Sequence, residues 1–334
     1  MPSIKYLARI LSGVRWKKIS DILDRVQRLS GQSKVHTFFD IAWCAVRYGA
    51  GYYDYVLCGF YDLTPAQRDT YLTRIRYKKV CNVMNDISHS WEFGDKNHFN
   101  EKFAKYMRRK TLNGETATLE QFTEFIDGQE AIFAKMNHGE GGESVEKLYV
   151  KDFDSPDAMF DYVRAKKEIV LEHVLMQHPD VARLHPQSVN TIRLVTDRVG
   201  DQVYVTYAAI RIGGGDSVCD NACQGGMYCH VDPETGKICS PAMDDFSHIL
   251  ESHPDTGITF NGYQLPMIPE AVEMAKEAMW VIPEITHVGW DVGITPDGPA
   301  FIEGNDFPGD MYQIYPFCPG KRGLWPYYKE LLHL

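Results

Sequence analysis

Two acidic residues and an amide lie in the run GWDVGITPDGPAFIEGN, residues 289–305, which otherwise has the pattern of a buried β-hairpin. The three residues are Asp291, Glu303 and Asn305. A carboxylate is costly to bury among apolar residues unless a cation or a proton neutralises it. The three side chains offer only oxygen and amide donors, a set that suits Mg²⁺ or Mn²⁺ rather than zinc. The run therefore predicts a divalent-cation site, and such sites commonly take further ligands from substrate phosphates.

The Pro-Asp-Gly sequence within this run predicts a hairpin turn with residues 296–298 as a three-residue loop. The facing pairs that this loop predicts are Thr295 with Pro299, Gly293 with Phe301, Asp291 with Glu303, and Gly289 with Asn305. Because side chains alternate along a strand, the two acids and the amide then share one face of the hairpin. The two glycines have no side chains and would leave empty space beside them on that face. A two-residue loop would shift this register and separate the acids, which leaves a polar, solvent-facing strand as the alternative.

The elements that must position these residues change in character along the chain. Apolar residues recur at helical spacing over residues 3–30, Thr64-Pro65-Ala66-Gln67 is a good helix start, and a further helix is predicted over about 97–109. The aromatic residues of 36–62 are interpreted as core packing. Hairpins are predicted to turn near Gly200-Asp201 and within residues 232–236, and a helix over 269–281 precedes the third hairpin. We therefore predict an α+β or mixed α/β fold with largely antiparallel strands and a mostly helical N-terminal region.

Composition and charge restrict the class of protein. The 334 residues have a net charge of −10, yet residues 1–36 hold eight Lys or Arg against two Asp, so the remainder carries −16. An acidic body argues against non-specific nucleic-acid binding. No apolar run reaches the ~20 residues of a membrane span, no signal peptide is evident, and eight irregularly spaced cysteines indicate reduced thiols in a cytoplasmic protein.

The basic face of the predicted helix over residues 3–30 has two explanations. It would suit an anionic membrane surface, which would place a cytoplasmic protein peripherally at the inner membrane, or an acidic protein partner. The alternative is a helix packed on the core with a solvated basic face.

Several motifs together resemble the ATP-grasp enzymes, and within them the sugar-transfer-associated ATP-grasp group. They are the 289–305 run, HPQSVNTIRLVT, AAIRIGGG followed by DN and QGG, and HPDTG, within residues 95–325. The resemblance implies ATP and Mg²⁺ (or Mn²⁺) as cofactors, with the metal held by Asp291, Glu303 and Asn305. It also implies a helical N-terminal region at 1–95, a small lobe at 96–172 and a large lobe at 173–334.

The same resemblance implies roles for further residues. Lys135 would contact nucleotide phosphate, and a loop with Gly139, Gly141 and Gly142 would cover the triphosphate. Glu172 would meet the adenine amino group beside the backbone of His173 and Val174, and Gln177 would reach the ribose. Arg193 and Arg211 would contact phosphate or the reacting carboxyl group, and Asn221 would lie near the transferred phosphate. Apart from the family, the glycine loop also fits a flexible surface turn, and each arginine an exposed strand position.

Other constellations are less well supported by spacing. Cys219, Cys223, Cys229, His230 and Cys239 invite a zinc interpretation, but the paired CxxC spacing is missing. No GxxxxGK[ST] sequence indicates a P-loop. The segment SHPDTG, residues 252–257, is predicted to line an acceptor pocket because the resemblance includes it.

Three functions follow from these motifs. The first is a ligase that activates a small-molecule carboxylate as an acyl phosphate and joins it to an amine or thiol, with one substrate a sugar acid or amino sugar of a surface polysaccharide. The second is a phosphotransferase of the same fold that acts on a sugar hydroxyl. The third is a non-catalytic nucleotide-binding protein.

Overall fold

A computed structural model of the chain describes residues 16–138, 145–167, 169–221, 224–245, 247–309 and 318–334. By internal contacts the chain divides into a first unit, Met1–Val83 with Gly309–Leu334, and a second unit, Met84–Pro308. The second unit holds both sheets. The three-part division at residues 95 and 172 stays a prediction.

Helices begin where capping residues satisfy their first backbone N–H groups. In the first part of the chain they are α1 (Trp16–Ser30), α2 (Lys34–Tyr48), α3 (Tyr52–Leu57), α4 (Pro65–Arg68) and α5 (Arg74–Met84). The predicted helix start at Thr64 is confirmed, because its hydroxyl accepts a hydrogen bond from Gln67 N and Gln67 Oε1 accepts one from Thr64 N. The helix α4 that begins there has only four residues. Of the helix predicted over 3–30, the described part is the helix α1.

The aromatic residues of this region divide into two groups. Tyr48, Tyr55 and Phe60 are buried in the core of the first unit, as predicted. Phe39 and Trp43 are 67% and 59% exposed. For these two residues the packing interpretation is wrong, and another reason is needed for their place on the surface.

The helices of the second unit are short and cover its sheets. They are α6 (Trp91–Gly94), α7 (Lys96–Lys102), α8 (Leu119–Ile126), α9 (Pro156–Lys166), α10 (Pro179–Ala182) and α11 (Ile268–Ala278), and α12 (Trp325–Leu331) follows in the first unit. The helix predicted over 97–109 ends at Lys102 and continues only as a 3₁₀ turn, Ala104–Tyr106. Among the described helices, none combines the length and apolar character that a membrane crossing requires.

Two antiparallel sheets confirm the α+β prediction. The smaller has the order β1-β4-β2-β3, with β1 Thr111–Asn113, β2 Ala131–Lys135, β3 Val145–Tyr149 and β4 Val170–His173. The larger has the order β11-β10-β5-β6-β7-β8-β9, with β5 Ile192–Val199, β6 Gln202–Ile212, β7 Met227–His230, β8 Ala242–Asp244, β9 Ile249–Leu250, β10 His287–Thr295 and β11 Gly298–Asn305. The turn at Gly200-Asp201 joins β5 to β6 as predicted, and a single bridge between Val231 and Ile238 closes the second predicted turn.

Aromatic side chains hold the hairpin of β10 and β11 against the helices. Trp290 and Phe301 stack with ring centroids 4.6 Å apart, and Phe103 meets Trp290 edge-on at 5.4 Å. All three side chains are fully buried. This packing anchors the core face of the hairpin, so that its opposite face is held in a fixed position.

Replacing Trp290 with alanine is therefore expected to destabilise the protein by about 3–5 kcal/mol, because the ring leaves a cavity that its neighbours cannot fill. Urea unfolding followed by circular dichroism measures the change. Trp280→Ala is the matched control, since Trp280 is 48% exposed and its loss should cost well under half as much. Equal losses in the two variants would contradict this account of the hairpin.

Candidate active site

On the acidic face of the hairpin, the predicted cross-strand residue pairs are present at the end away from the turn. Asp291 lies opposite Glu303, and Gly289 lies opposite Asn305. Nearer the turn the prediction is wrong by one residue. Thr295 pairs with Gly298 and Gly293 with Ala300, so the loop has two residues rather than three.

A β-bulge reconciles the short loop with the facing acids. The register shifts between Asp291 and Val292, because Val292 pairs with Phe301 while Asp291 pairs with Glu303, which leaves Ile302 as the extra residue of β11. The extra residue reverses the alternation of side chains. Phe301 therefore turns into the core against Trp290, and Glu303 still faces Asp291.

The glycines of β10 do not leave the empty space beside Asp291 that the sequence predicts. A Cβ at Gly293 would lie 2.5 Å from Leu175 Cδ2, and one at Gly289 would lie 2.4 Å from Pro308 Cβ. Other side chains thus occupy the space above both glycines. The prediction of empty space beside Asp291 is wrong, and the glycines permit close packing instead.

Two guanidinium groups converge on Asp291, which is fully buried. Arg193 lies opposite it on β5, donates from Nε to Oδ1 and from Nη2 to Oδ2 (3.1 Å), and donates from Nη1 to Pro308 O (2.8 Å). Arg211 on β6 donates from Nη2 to Asp291 Oδ2 at 2.6 Å. Strand order accounts for this geometry, because β10, β5 and β6 are successive neighbours in the sheet.

The two facing carboxyl groups have opposite pKa shifts. Burial would raise the pKa of Asp291, but the charges of Arg193 and Arg211 outweigh it, and the pKa lies below its ordinary value. Burial and then the charge of Asp291 raise the pKa of Glu303. Glu303 is thus the carboxyl group that lacks sufficient positive charge nearby.

This imbalance decides which residues fit a divalent cation. Glu303 and Asn305 are half-buried, and Asn305 Nδ2 lies 3.5 Å from Glu303 Oε1. Their oxygens, with the raised pKa of Glu303, fit a hard cation that would replace a proton on that carboxyl group. Both oxygens of Asp291 already accept guanidinium hydrogen bonds, so a metal role for Asp291 stays a prediction. Within the described residues no three His, Cys, Asp or Glu side chains form a metal-binding group.

Sequence reasoning missed Asp220 as a member of this site. It is buried, accepts hydrogen bonds from Thr191 N (2.9 Å) and Thr191 Oγ1 (2.5 Å), and lies 3.6 Å from Arg211 Nε. Burial raises the pKa of Asp220, although Arg211 and Thr191 oppose the shift. The signal was present, because the DN element used for the resemblance contains Asp220 as well as Asn221.

Asn221 is half-buried, and its backbone oxygen accepts from Gly226 N at 3.1 Å. Gly226 has no room for a side chain, since a Cβ there would lie 2.4 Å from Asp220 O. The backbone of Gly226 thus lies close to those of Asp220 and Asn221. The catalytic role of Asn221 stays a prediction.

A second charged cluster surrounds Glu172 at the end of β4. Arg109 donates to its Oε2 from Nη2 (2.9 Å), Lys135 Nζ lies 2.8 Å from the same oxygen, and Asn100 Nδ2 donates to Oε1 (3.2 Å). Although burial opposes ionisation, the charges of Arg109 and Lys135 lower the pKa of Glu172 to about 2. Glu172 and Lys135, predicted as separate nucleotide contacts, form an ion pair in this structure.

Arg109, which the sequence did not single out, joins the two clusters. Besides Glu172 it donates from Nη1 to Phe301 O (2.5 Å) and from Nη2 to Ile302 O (3.3 Å). These carbonyl groups belong to the bulge of β11. A single buried guanidinium therefore connects the Glu172 cluster to the backbone that orients Glu303.

Two of the remaining residues predicted to contact the nucleotide, His173 and Gln177, are hydrogen-bonded within the protein. His173 Nε2 contacts Phe125 O at 2.8 Å, and His173 N donates to Lys110 O. Both ends of the Gln177 side chain are engaged, with Ser188 O and with Asn190 N. Val174 is 39% exposed. Gly139, Gly141 and Gly142 lie outside the described residues, and all these roles stay predictions.

Two buried histidines, each the first residue of a motif that carries the family resemblance, hold the glycine turn that follows β6; the predicted acceptor-pocket role of residues 252–257 stays a prediction. His253 Nε2 contacts Gly213 O at 2.9 Å, and His185 Nε2 contacts Gly215 O at 2.9 Å. The ring of His253 accepts from Asp255 N through Nδ1, so Nε2 carries its proton and donates to Gly213 O. Part of the HPDTG motif thus braces the turn beyond Arg211.

The zinc interpretation gains no support from the arrangement of cysteines. Cys229 is buried, Cys239 is exposed, and Cys223 lies outside the described residues. Cys44, Cys81, Cys229, Cys239 and Cys318 are free thiols.

The Glu172 cluster predicts a specific dependence of stability on pH. A carboxyl group with a lowered pKa stabilises the fold above its unfolded pKa of about 4.5, and this contribution is lost as the pH falls towards about 2. Glu172→Gln should cost about 3 kcal/mol at pH 7, and the deficit should shrink as the pH approaches 2. Urea unfolding across this pH range is the measurement, with exposed Glu273→Gln as control. Parallel curves for wild type and Glu172→Gln would refute the ion-pair account.

Comparison with known proteins places this site in a family. Residues 120–322, more than half of the chain, match the model of the sugar-transfer associated ATP-grasp family. Solved structures that resemble the chain include the D-alanine-D-alanine ligase from Coxiella burnetii, with a TM-score of 0.44 and 9% identity over 75% of this chain and 59% of that one. Another is the D-alanyl-alanine synthetase A from Vibrio cholerae O1 biovar eltor, with a TM-score of 0.40 and 11% identity over 68% of this chain and 59% of that one.

A third is an N5-carboxyaminoimidazole ribonucleotide synthetase in complex with ADP, with a TM-score of 0.38 and 12% identity over 66% of this chain and 46% of that one. The chain thus spans between 46% and 59% of the length of these three proteins. No curated protein matches it. On the strength of the family model, the chain belongs to the sugar-transfer associated ATP-grasp family.

Proposed function

We propose that this protein is an ATP- and Mg²⁺-dependent ligase that activates a carboxylate as an acyl phosphate and joins it to an amine or a similar nucleophile. The observation that carries the proposal is the face on which Arg193 and Arg211 meet Asp291 beside the under-compensated Glu303. Family membership supports ATP as the nucleotide.

The arginines would have different tasks. Arg193 directs its N–H groups to Asp291 and Pro308 O and is buried, so it serves to position Asp291. Arg211 uses Nε for Thr191 and Nη2 for Asp291, and within the described residues no hydrogen bond occupies its Nη1. Arg211 is therefore the guanidinium that would contact a phosphate or a reacting carboxylate.

Lys135 and the metal-binding pair would neutralise the phosphates. Lys135 lies at the end of β2, where it would exchange Glu172 for a phosphate oxygen while Arg109 keeps Glu172 ionised. Glu303 and Asn305 would hold the Mg²⁺, which when bound supplies positive charge against the triphosphate. Binding of the cation would therefore favour the ionised form of Glu303.

The reaction would proceed in two steps. An oxygen of the substrate carboxylate attacks the γ-phosphorus of ATP, the bond to the β-phosphate breaks, and ADP leaves. The amine then attacks the acyl carbon, inorganic phosphate leaves, and the amine loses a proton as the amide forms. Positioning and charge neutralisation on this face are what such transfers chiefly require.

We also propose that one substrate is a sugar acid or an amino sugar of a cell-surface polysaccharide precursor, which only the family description supports. A cytoplasmic location is consistent with the free thiols of Cys44, Cys81, Cys229, Cys239 and Cys318. ATP and small-molecule substrates are accordingly the expected partners.

The chemistry is tested by incubating the protein with ATP, Mg²⁺ and candidate carboxylates in the presence of hydroxylamine. A ligase that forms an acyl phosphate should release ADP and yield a hydroxamate. ADP release without hydroxamate, in the presence of a sugar, would indicate a phosphotransferase instead. ATP binding without turnover across the carboxylates and sugars would indicate a non-catalytic protein.

The metal-binding role predicts opposite effects of Glu303→Gln on stability and on binding. Because the pKa of Glu303 is raised, its ionisation at neutral pH disfavours the fold, and the neutral amide should raise the melting temperature of the ligand-free protein. The same change should weaken Mn²⁺ binding in the presence of ATP by about tenfold or more. Calorimetry and thermal unfolding measure both, with Glu273→Gln as control. Unchanged metal affinity would remove Glu303 from the site.

A further inference from the structure

A continuous apolar ridge lies on the solvent side of α2. It consists of Val35, Phe39, Trp43 and Val46, which are 68%, 67%, 59% and 52% exposed. Steps of four, four and three residues place them on one face of the helix. We refer to these four side chains as the α2 ridge.

The α2 ridge is not the face by which α2 packs on the core. That face carries Thr37, Ile41, Cys44 and Tyr48, which are all buried. A surface helix normally has one apolar stripe and an opposite polar face. A second stripe that includes a tryptophan and a phenylalanine is therefore unexplained by folding, and contiguous exposed apolar surface of this kind usually marks a binding surface.

Positive charge lies at one edge of the ridge. Arg47 follows Val46 on α2 and is exposed, whereas Lys34, the first residue of α2, pairs with Asp24 of α1. The only acidic residue of α2 is Asp40, and Arg68 pairs with it through both oxygens, at 2.7 and 2.8 Å. The ridge therefore has an exposed cation at its edge, and the carboxylate of α2 is already paired.

The surrounding helices have the same sign of charge. Residues 16–50, which comprise α1 and α2, hold six Lys or Arg against three Asp, a net of +3 in a chain whose net charge is −10. An interfacial helix that binds anionic lipid combines basic residues with Trp and Phe in this way. A second copy of the chain fits less well, because a two-fold contact through the ridge would bring identical cations together.

We propose that the α2 ridge is a membrane-docking surface that inserts Phe39 and Trp43 into the interfacial layer of an anionic bilayer. Arg47 would contact the lipid headgroups. Tryptophan suits this depth because its ring is largely apolar and its N–H remains near water. The inference is independent of the proposed ligase reaction, since docking requires no nucleotide.

The test is co-sedimentation with vesicles of phosphatidylcholine, with and without phosphatidylglycerol. The intact chain should bind the anionic vesicles far more strongly than the neutral ones. Trp43→Ser should weaken this binding by about tenfold or more. Trp91→Ser is the matched control, because Trp91 is 57% exposed but lies in the second unit, and it should bind like the wild type.

Other arms separate the lipid from alternative partners. Replacing Arg47 with glutamine should reduce binding to anionic vesicles and leave the weak binding to neutral vesicles unchanged. Thermal unfolding of each variant verifies that the helix still folds. Equal binding by the Trp43→Ser and Trp91→Ser variants would overturn the proposal. The proposal would also be overturned if the wild-type protein bound neither kind of vesicle but self-associated, or bound an acidic protein, through Trp43.

Discussion

The candidate site depends on the ion pairs that the buried carboxylate of Asp291 makes with Arg193 and Arg211. Removing a carboxylate from water is tolerable only with strong compensation, and Arg193 and Arg211 supply it from two neighbouring strands. The two arginines are fixed as well, because both guanidinium groups pair with Asp291, and Arg211 has Asp220 in addition. Glu303 is left with too little positive charge nearby. The cation site proposed at Glu303 would therefore follow from the way in which these ion pairs are satisfied.

Backbone geometry decides whether Glu303 can face Asp291 at all. A two-residue turn alone would direct it to the core, and the extra residue Ile302 restores its position. Arg109 donates to the carbonyl groups of this bulge while it pairs with Glu172. The small sheet and the hairpin are therefore linked through one side chain. The backbone that orients Glu303 is thus tied to β4, the strand where the family resemblance implies a contact with the nucleotide base.

Residue pattern alone predicted the α+β class, the turn at Gly200-Asp201 and the opposition of Asp291 to Glu303. It could not predict the bulge, because two errors cancel there: the loop is one residue shorter and β11 one residue longer than assumed. Nor could it predict that Lys135 pairs with Glu172, since ion pairs between distant segments leave no local pattern. Phe39 and Trp43 were misassigned because helical spacing shows which residues share a face but not which face is buried.

The charges of the two clusters explain why nucleotide and metal would have to bind together. In the first cluster, the negative charges of Asp291, Glu303 and Asp220 lie near the positive charges of Arg193 and Arg211. In the second, the negative charge of Glu172 lies near the positive charges of Arg109 and Lys135. With every carboxyl group ionised these named groups sum to zero, so they offer no net attraction to a triphosphate. A divalent cation at Glu303 would shift the balance by two positive charges at the point where the phosphates arrive. The raised pKa of Glu303 makes its ionisation less favourable in this environment, and a divalent cation at this carboxyl group would offset that cost.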